Sequence, residues 1–218
     1  MIKQNKGTII LTSVIILIPM LLGLILWNQF PDQMPIHWNV SGEIDSWGSK
    51  LFVVVLMPLF MLAIHWFCII VTAADPKSKN ISGISLQLVL WICPVLSLLV
   101  VGLVLATGIG LDISVEVVMP LVLGAMFLVL GNYLPKCKQN YTIGIKVSWA
   151  LEDEANWNAT HRFAGWVWTI GSLVIMATAF FGSFWIFLPL VLIMAFAPMV
   201  YSYLYYRKHR KDADHEHK

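Results

Sequence analysis

The chain has 218 residues, of which 59% are hydrophobic and only 12% charged, and its mean hydropathy is +0.78. An average globular domain carries about 25% charged residues, so this composition excludes a water-soluble surface and defines an integral membrane protein. A net charge of +2 argues against direct nucleic-acid binding, and Cys68, Cys93 and Cys137 lack the paired spacing of a disulfide framework or a zinc motif.

The first apolar run, residues 8–28, follows Lys3 and Lys6 as a signal peptide would. It is too long for one, and no small-residue cleavage site precedes Trp27 and Asn28, so it is read as a retained helix. Five more runs follow, at 51–73, 84–106, 114–134, 163–181 and 184–205. Each is near the ~20 residues that a helix needs to cross the hydrocarbon core. The predicted fold is all-α, with six transmembrane helices, a structured outer loop and a cytoplasmic helix. Its expected organisation is a two-helix part with the loop (1–83), a four-helix part with the inner motif (84–205) and a charged cytoplasmic tail (206–218).

Lysine and arginine in the loops set the expected orientation. With a cytoplasmic N-terminus, the inner segments hold Lys3, Lys6, Lys77, Lys79, Lys136, Lys138, Lys146, Arg162 and the cluster from Arg207 onward, against Lys50 alone outside. Both termini are therefore expected in the cytoplasm of a cell-membrane protein. His37 and His161 then fall on opposite sides of the bilayer and cannot share one metal or one reaction centre.

Between the first two runs lies PDQMPIHWNVSGEIDSWGSK, residues 31–50. Pro31 and Pro35 stop the helix and favour an extended entry. Asn39 and Gly42 suit a turn with positive φ. Trp38 and Trp47 are amphipathic rings of the kind found at the headgroup level, and Lys50 can snorkel outward. His37 and Asp45 are two potential metal ligands eight residues apart, a weak pattern set against a structured interfacial loop.

In the second run His65 is ionisable and deep in lipid, which marks it as a functional candidate. The favoured reading is nevertheless a neutral histidine bonded to a neighbouring helix, for which Gln87 is one available partner. Prolines in five of the six spans can kink helices around a cavity, or simply be tolerated there. After the fourth run, Pro135 ends the helix and Gly144 permits a sharp bend. WALEDEANWNATHR then reads as a helix with Ser148 as N-cap and Glu152, Asp153 and Glu154 in its early turns. Trp157 and His161 share one face at i, i+4, while Glu154, Asn158 and Arg162 line the next, with an ion pair expected among them. This is either an interfacial surface helix or a docking site. His209, His215 and His217 sit in KHRKDADHEHK, expected to be a solvated, disordered tail.

Both polar segments carry a resemblance. PDQMPIHWNVSGEIDSWGSK resembles the signature of the DUF1648 membrane domain: proline, His-Trp-Asn, glycine, aspartate and a closing Ser-Lys. GNYLPKCKQNYTIGIKVSWALEDEANWNATHRFAGW resembles the second signature of SdpI-type immunity proteins. It has the Gly-Asn helix end, an asparagine, Ile-Gly-Ile with a basic residue, a tryptophan helix and Thr-His-Arg-Phe. One departure is Val147-Ser148-Trp149-Ala150, where many relatives have Thr-Pro-Trp-Thr; Ser148 would then replace the capping threonine.

The resemblance implies immunity against a secreted, membrane-active toxin peptide, and a sensor that retains an ArsR-type repressor at the membrane. Carried onto this chain, His37, Trp38, Asn39, Gly42, Asp45 and Lys50 become toxin-facing candidates. Asn140, Gly144, Lys146, Trp149, Glu154, Trp157, His161 and Arg162 become cytoplasmic signalling candidates. No cofactor, metal or catalytic residue is expected. The rival reading is a small transporter or export channel using His65 and the proline-kinked helices. A membrane enzyme around Glu154, His161 and Arg162 lacks a nucleophile or metal set to complete it.

Overall fold

A computed structural model of the chain describes residues 1–39, 41–181 and 184–216. Six of its helices are long and apolar enough to cross a membrane. They are α1 (Lys3–Ile25), α2 (Phe52–Ala73), α3 (Ile84–Gly108), α4 (Val115–Tyr133), α6 (Glu154–Phe181) and α7 (Phe187–Glu216). A short helix, α5 (Ser148–Glu152), precedes α6. The loop after α1 is an antiparallel hairpin of β1 (Gln33–Trp38) and β2 (Ile44–Ser49). The expected six-helix architecture is therefore observed, with one two-stranded sheet added.

The chain forms two compact units. The first contains residues 1–74 and 86–118: α1, the hairpin, α2 and nearly all of α3. In α1 the buried positions are Ile9, Thr12, Ile16, Pro19 and Gly23. That 3–4 spacing makes one seam, because side chains three and four apart share a helix face. Gly23 lies against Val54 with no room for a methyl group, so the small residue sets the approach of α1 to α2. A second cluster joins Phe30, Met34, Val53, Val54, Val101, Val104 and Leu105. Met34 is wholly buried there, which roots the hairpin in the helices and fixes its position.

The second unit contains residues 75–85 and 119–218. Here too the helices meet at glycines: Gly124 against Met176, Gly131 against Trp168, Gly165 against Pro135 and Gly171 against Met194. In lipid no hydrophobic force brings helices together, so close packing at small residues and buried hydrogen bonds must hold them. The Trp168 indole N–H donates to the Met194 carbonyl at 2.8 Å. Between α6 and α7, Asn156 Nδ2 donates to the Ser202 carbonyl (3.1 Å) and Asn156 Oδ1 accepts from the hydroxyls of Ser202 (2.9 Å) and Thr160 (3.0 Å).

Two expectations change. Ser148 does not cap the inner helix: Val147 occupies the N-cap of α5 without a side-chain bond. The chain breaks at Asp153, whose Oδ1 accepts the Ala155 N–H at 2.8 Å and so caps α6. The final helix also runs on to Glu216, into the segment expected to be disordered; His217 and Lys218 lie outside the described residues.

Candidate functional site

The hairpin is built by its turn. Asn39 Oδ1 accepts from the N–H groups of Ser41 (2.9 Å) and Glu43 (3.0 Å), and Asn39 N–H donates to the Glu43 carbonyl (2.8 Å). Asn39 thus acts through an Asx turn and not, as expected, through positive φ, which among the described residues of the turn is adopted by Gly42 (φ 79°). A side chain at Gly42 would also meet the Glu116 carboxylate. His37 Nδ1 and Asp45 Oδ1 pair across the strands at 2.5 Å, with side chains 66% and 42% exposed. Trp47 is exposed, whereas Trp38 packs against the cluster around Met34.

Lys50 does not reach outward. Its Nζ donates to the Phe30 carbonyl at 3.0 Å, pairs with Asp32 at 3.4 Å and lies over the Trp27 ring. Only 15% of its side chain is exposed, so it ties the hairpin base to the segment that follows α1. Of the six outer-loop candidates, His37 and Asp45 are the ones that present polar chemistry to the surroundings together.

The second polar region runs from Leu134 to His161, and its geometry is specific. Asn140 is buried and organises the loop: Oδ1 accepts from the N–H groups of Thr142 (2.8 Å) and Ile143 (2.6 Å), and Nδ2 donates to the Lys138 carbonyl (2.8 Å). Gly144 sits at φ 105°, with the His161 ring where a Cβ would lie. His161 Nε2 accepts the Ile145 N–H at 3.0 Å, so the ring proton is on Nδ1, which donates to the Trp157 carbonyl at 2.8 Å. Trp157 stacks on His161 with ring centroids 4.0 Å apart and donates its indole N–H to the Cys137 carbonyl at 2.7 Å. The shared face read for Trp157 and His161 is therefore real, but it is turned inward. Burial pushes the Cys137 thiol up to about 11.

Trp149 donates to the Ser202 hydroxyl at 3.0 Å and lies against Tyr203 and Tyr206. Lys146 donates to the Thr142 carbonyl at 3.0 Å. Glu154, Asn158 and Arg162 form an exposed ridge on α6. Among the described residues Arg162 enters no ion pair, so the expected Glu154–Arg162 pairing is not made. The ridge is the part of this region that is free to contact something else.

Sequence reasoning missed Asp75 and Gln139. Asp75 is buried; Oδ2 accepts from the Tyr141 N–H (2.9 Å) and the Thr142 hydroxyl (2.6 Å), and Oδ1 from the Lys77 N–H (2.7 Å). Gln139 bonds Lys77 through Oε1, and its Nε2 donates to the Ala150 (3.0 Å) and Leu151 (2.9 Å) carbonyls. Nothing local in AADPKSKN or CKQN distinguishes these residues from ordinary loop polars.

Within the first unit, His65 is fully buried and its Nε2 meets the Thr12 hydroxyl at 3.0 Å. Gln87, the partner the sequence offered, instead accepts from the Trp91 indole at 3.2 Å. Thr12 competes better because it lies on the buried seam of α1, while Gln87 is exposed. Among the described residues, no three His, Cys, Asp or Glu side chains converge as a metal set.

Six membrane-crossing helices, a rooted hairpin and a rigid polar loop feeding the fifth span define a multi-pass membrane protein with two built polar regions. Residues 14–62 match DUF1648, a domain of unknown function, and residues 136–202 match the SdpI/YfhL protein family. The chain is also 25% identical over 205 residues to "Immunity protein SdpI" of Bacillus subtilis (strain 168), spanning 91% of this chain and 96% of that protein. Over both polar segments, and along most of its length, the chain is thus similar to SdpI-type proteins. No solved structure matches it.

Proposed function

We propose that this protein is a membrane immunity protein that protects its cell against a secreted, membrane-active toxin peptide. The observation that carries the proposal is similarity along nearly the whole chain to a protein named for immunity. It covers both polar regions, and each is built by specific hydrogen bonds. The reading is non-enzymatic.

The hairpin faces outward and the loop from Leu134 to His161 faces the cytoplasm. The distribution of lysine and arginine supports this, since Lys50 alone falls on the hairpin side. His37, Asp45 and Trp47 then form the exposed toxin-facing surface, and the Glu154–Asn158–Arg162 ridge is the surface for a cytoplasmic partner. An ArsR-type repressor is the partner that the family resemblance implies. Toxin binding signals by favouring one helix arrangement over another, which needs a differential affinity of about 1–3 kcal/mol between the two states.

The test is survival of a toxin-sensitive cell expressing the chain. Asp45→Ala is expected to weaken protection without loss of the protein from the membrane. The His37–Asp45 pair is exposed, and such pairs contribute under about 1 kcal/mol to stability. Survival equal to that of empty-vector cells across candidate toxin peptides, with the protein present in the membrane, would overturn the proposal.

A further inference from the structure

The second unit contains a cavity of about 160 Å³ that the immunity reading does not use. It is lined by Asn80, Ser82, Ser85, Tyr133, Lys136 and Lys138, with Ile84. No carboxylate is among these residues. Lys136 and Lys138 are exposed, and among the described residues neither enters an ion pair. Their backbone is nevertheless held: Lys136 closes a tight turn after α4, and the Lys138 carbonyl accepts from Asn140. Two lysines on a held backbone thus line one recess. Ser85 and Tyr133 hydroxyls bond one another at its wall, and the Asn80 amide donates to the Gln139 carbonyl at 2.7 Å.

Position supplies a second argument. The cavity is formed where α3 begins, at Ile84, and where the fourth span ends, at Lys136. Ends of membrane-crossing helices lie at the headgroup level. The first turn of α3 also presents backbone N–H groups without intrahelical partners, a favourable setting for an anion. A volume of this size has room for about five waters, enough to admit one phosphate group.

We infer that this cavity binds the phosphate group of an anionic phospholipid, with Lys136 and Lys138 as the charged contacts and Ser82 as a hydroxyl donor. The lipid ties the start of α3 to the loop that carries Asn140 and Gly144. A hydrogen bond from an exposed ammonium to a phosphate oxygen contributes about 1 kcal/mol, or roughly fivefold in affinity, so the pair is expected to give about 25-fold.

Native mass spectrometry of the full chain in neutral detergent tests this with phosphatidylglycerol, phosphatidylcholine of matched acyl chains, and inorganic phosphate. Phosphatidylglycerol is expected to be retained in preference to phosphatidylcholine, and millimolar inorganic phosphate to leave it in place. Lys136→Gln with Lys138→Gln should weaken retention by about 25-fold, while Lys136→Arg with Lys138→Arg preserves it. The charge-matched pair Lys3→Gln and Lys208→Gln should leave it unchanged. Equal loss in the two glutamine pairs would show diffuse attraction and overturn the site. Full retention in the Lys136/Lys138 glutamine pair, or displacement of lipid by inorganic phosphate, would overturn it as well.

Discussion

Replacing Gly144 by alanine tests whether the loop before α5 is held by the geometry described above. At φ 105° an L-residue is strained, at a cost of about 1–3 kcal/mol. The new methyl would also displace the His161 ring and stretch the Ile145 N–H bond to Nε2, a loss of about 1 kcal/mol. The His161 ring has little freedom to yield, because it is stacked on Trp157, which is itself fully buried. The expected destabilisation of the loop is therefore about 2–4 kcal/mol. At 1.4 kcal/mol per tenfold, that raises the opening equilibrium by roughly 30- to 700-fold.

Cys137 reports the opening directly, since it is 3% exposed in the same loop. In a background with Cys68→Ala and Cys93→Ala, maleimide labelling of Cys137 should accelerate by at least roughly 30-fold in Gly144→Ala. Opening both exposes the thiol and lets it ionise more readily, so the two effects act in the same direction. Labelling within twofold of the parent, under conditions where reclosing outpaces labelling, would refute the claim that Gly144 and His161 hold this loop shut.

Asp75→Ala removes one acceptor group from three donors on Lys77, Tyr141 and Thr142, and should lower stability by about 2–4 kcal/mol, read as a fall in the detergent unfolding midpoint. Asn156→Leu leaves the buried Ser202 and Thr160 hydroxyls without their shared acceptor; a loss of about 1–3 kcal/mol is expected, with increased protease access between α6 and α7. The Cys137 thiol gives a pH dependence. Its folded value, about 11, lies above the ordinary thiol value of 9.0, so the folded state holds the proton longer than the unfolded one. Stability from this group is fully present below pH 9 and is lost as pH rises through 11. The loss is at most about 2–3 kcal/mol, and Cys137→Ala should abolish that part of the alkaline decline in unfolding midpoint.

The six spans were legible in the sequence because bilayer thickness dictates a length and lipid dictates apolarity, and both are local properties. The hairpin's place and its Gly42 turn were legible for a similar reason: proline, asparagine and glycine restrict their own backbone. The i, i+4 pairing of Trp157 with His161 followed from helical periodicity alone.

Tertiary structure decided which polar groups meet. Asp75 reaches Tyr141 and Thr142 from 66 and 67 residues away, and Asn156 meets Ser202 across 46. It chose Thr12 over Gln87 for His65, and turned Lys50 back onto the segment after α1 where the sequence allowed it to point outward. It also turned the Trp157–His161 face inward onto Gly144, leaving the Glu154–Arg162 ridge to the outside. A sequence records how apolar a helix is, but in lipid the neighbours of its few polar atoms are set by close packing at small residues. That packing is a property of two helices at once, and no single stretch of chain contains it.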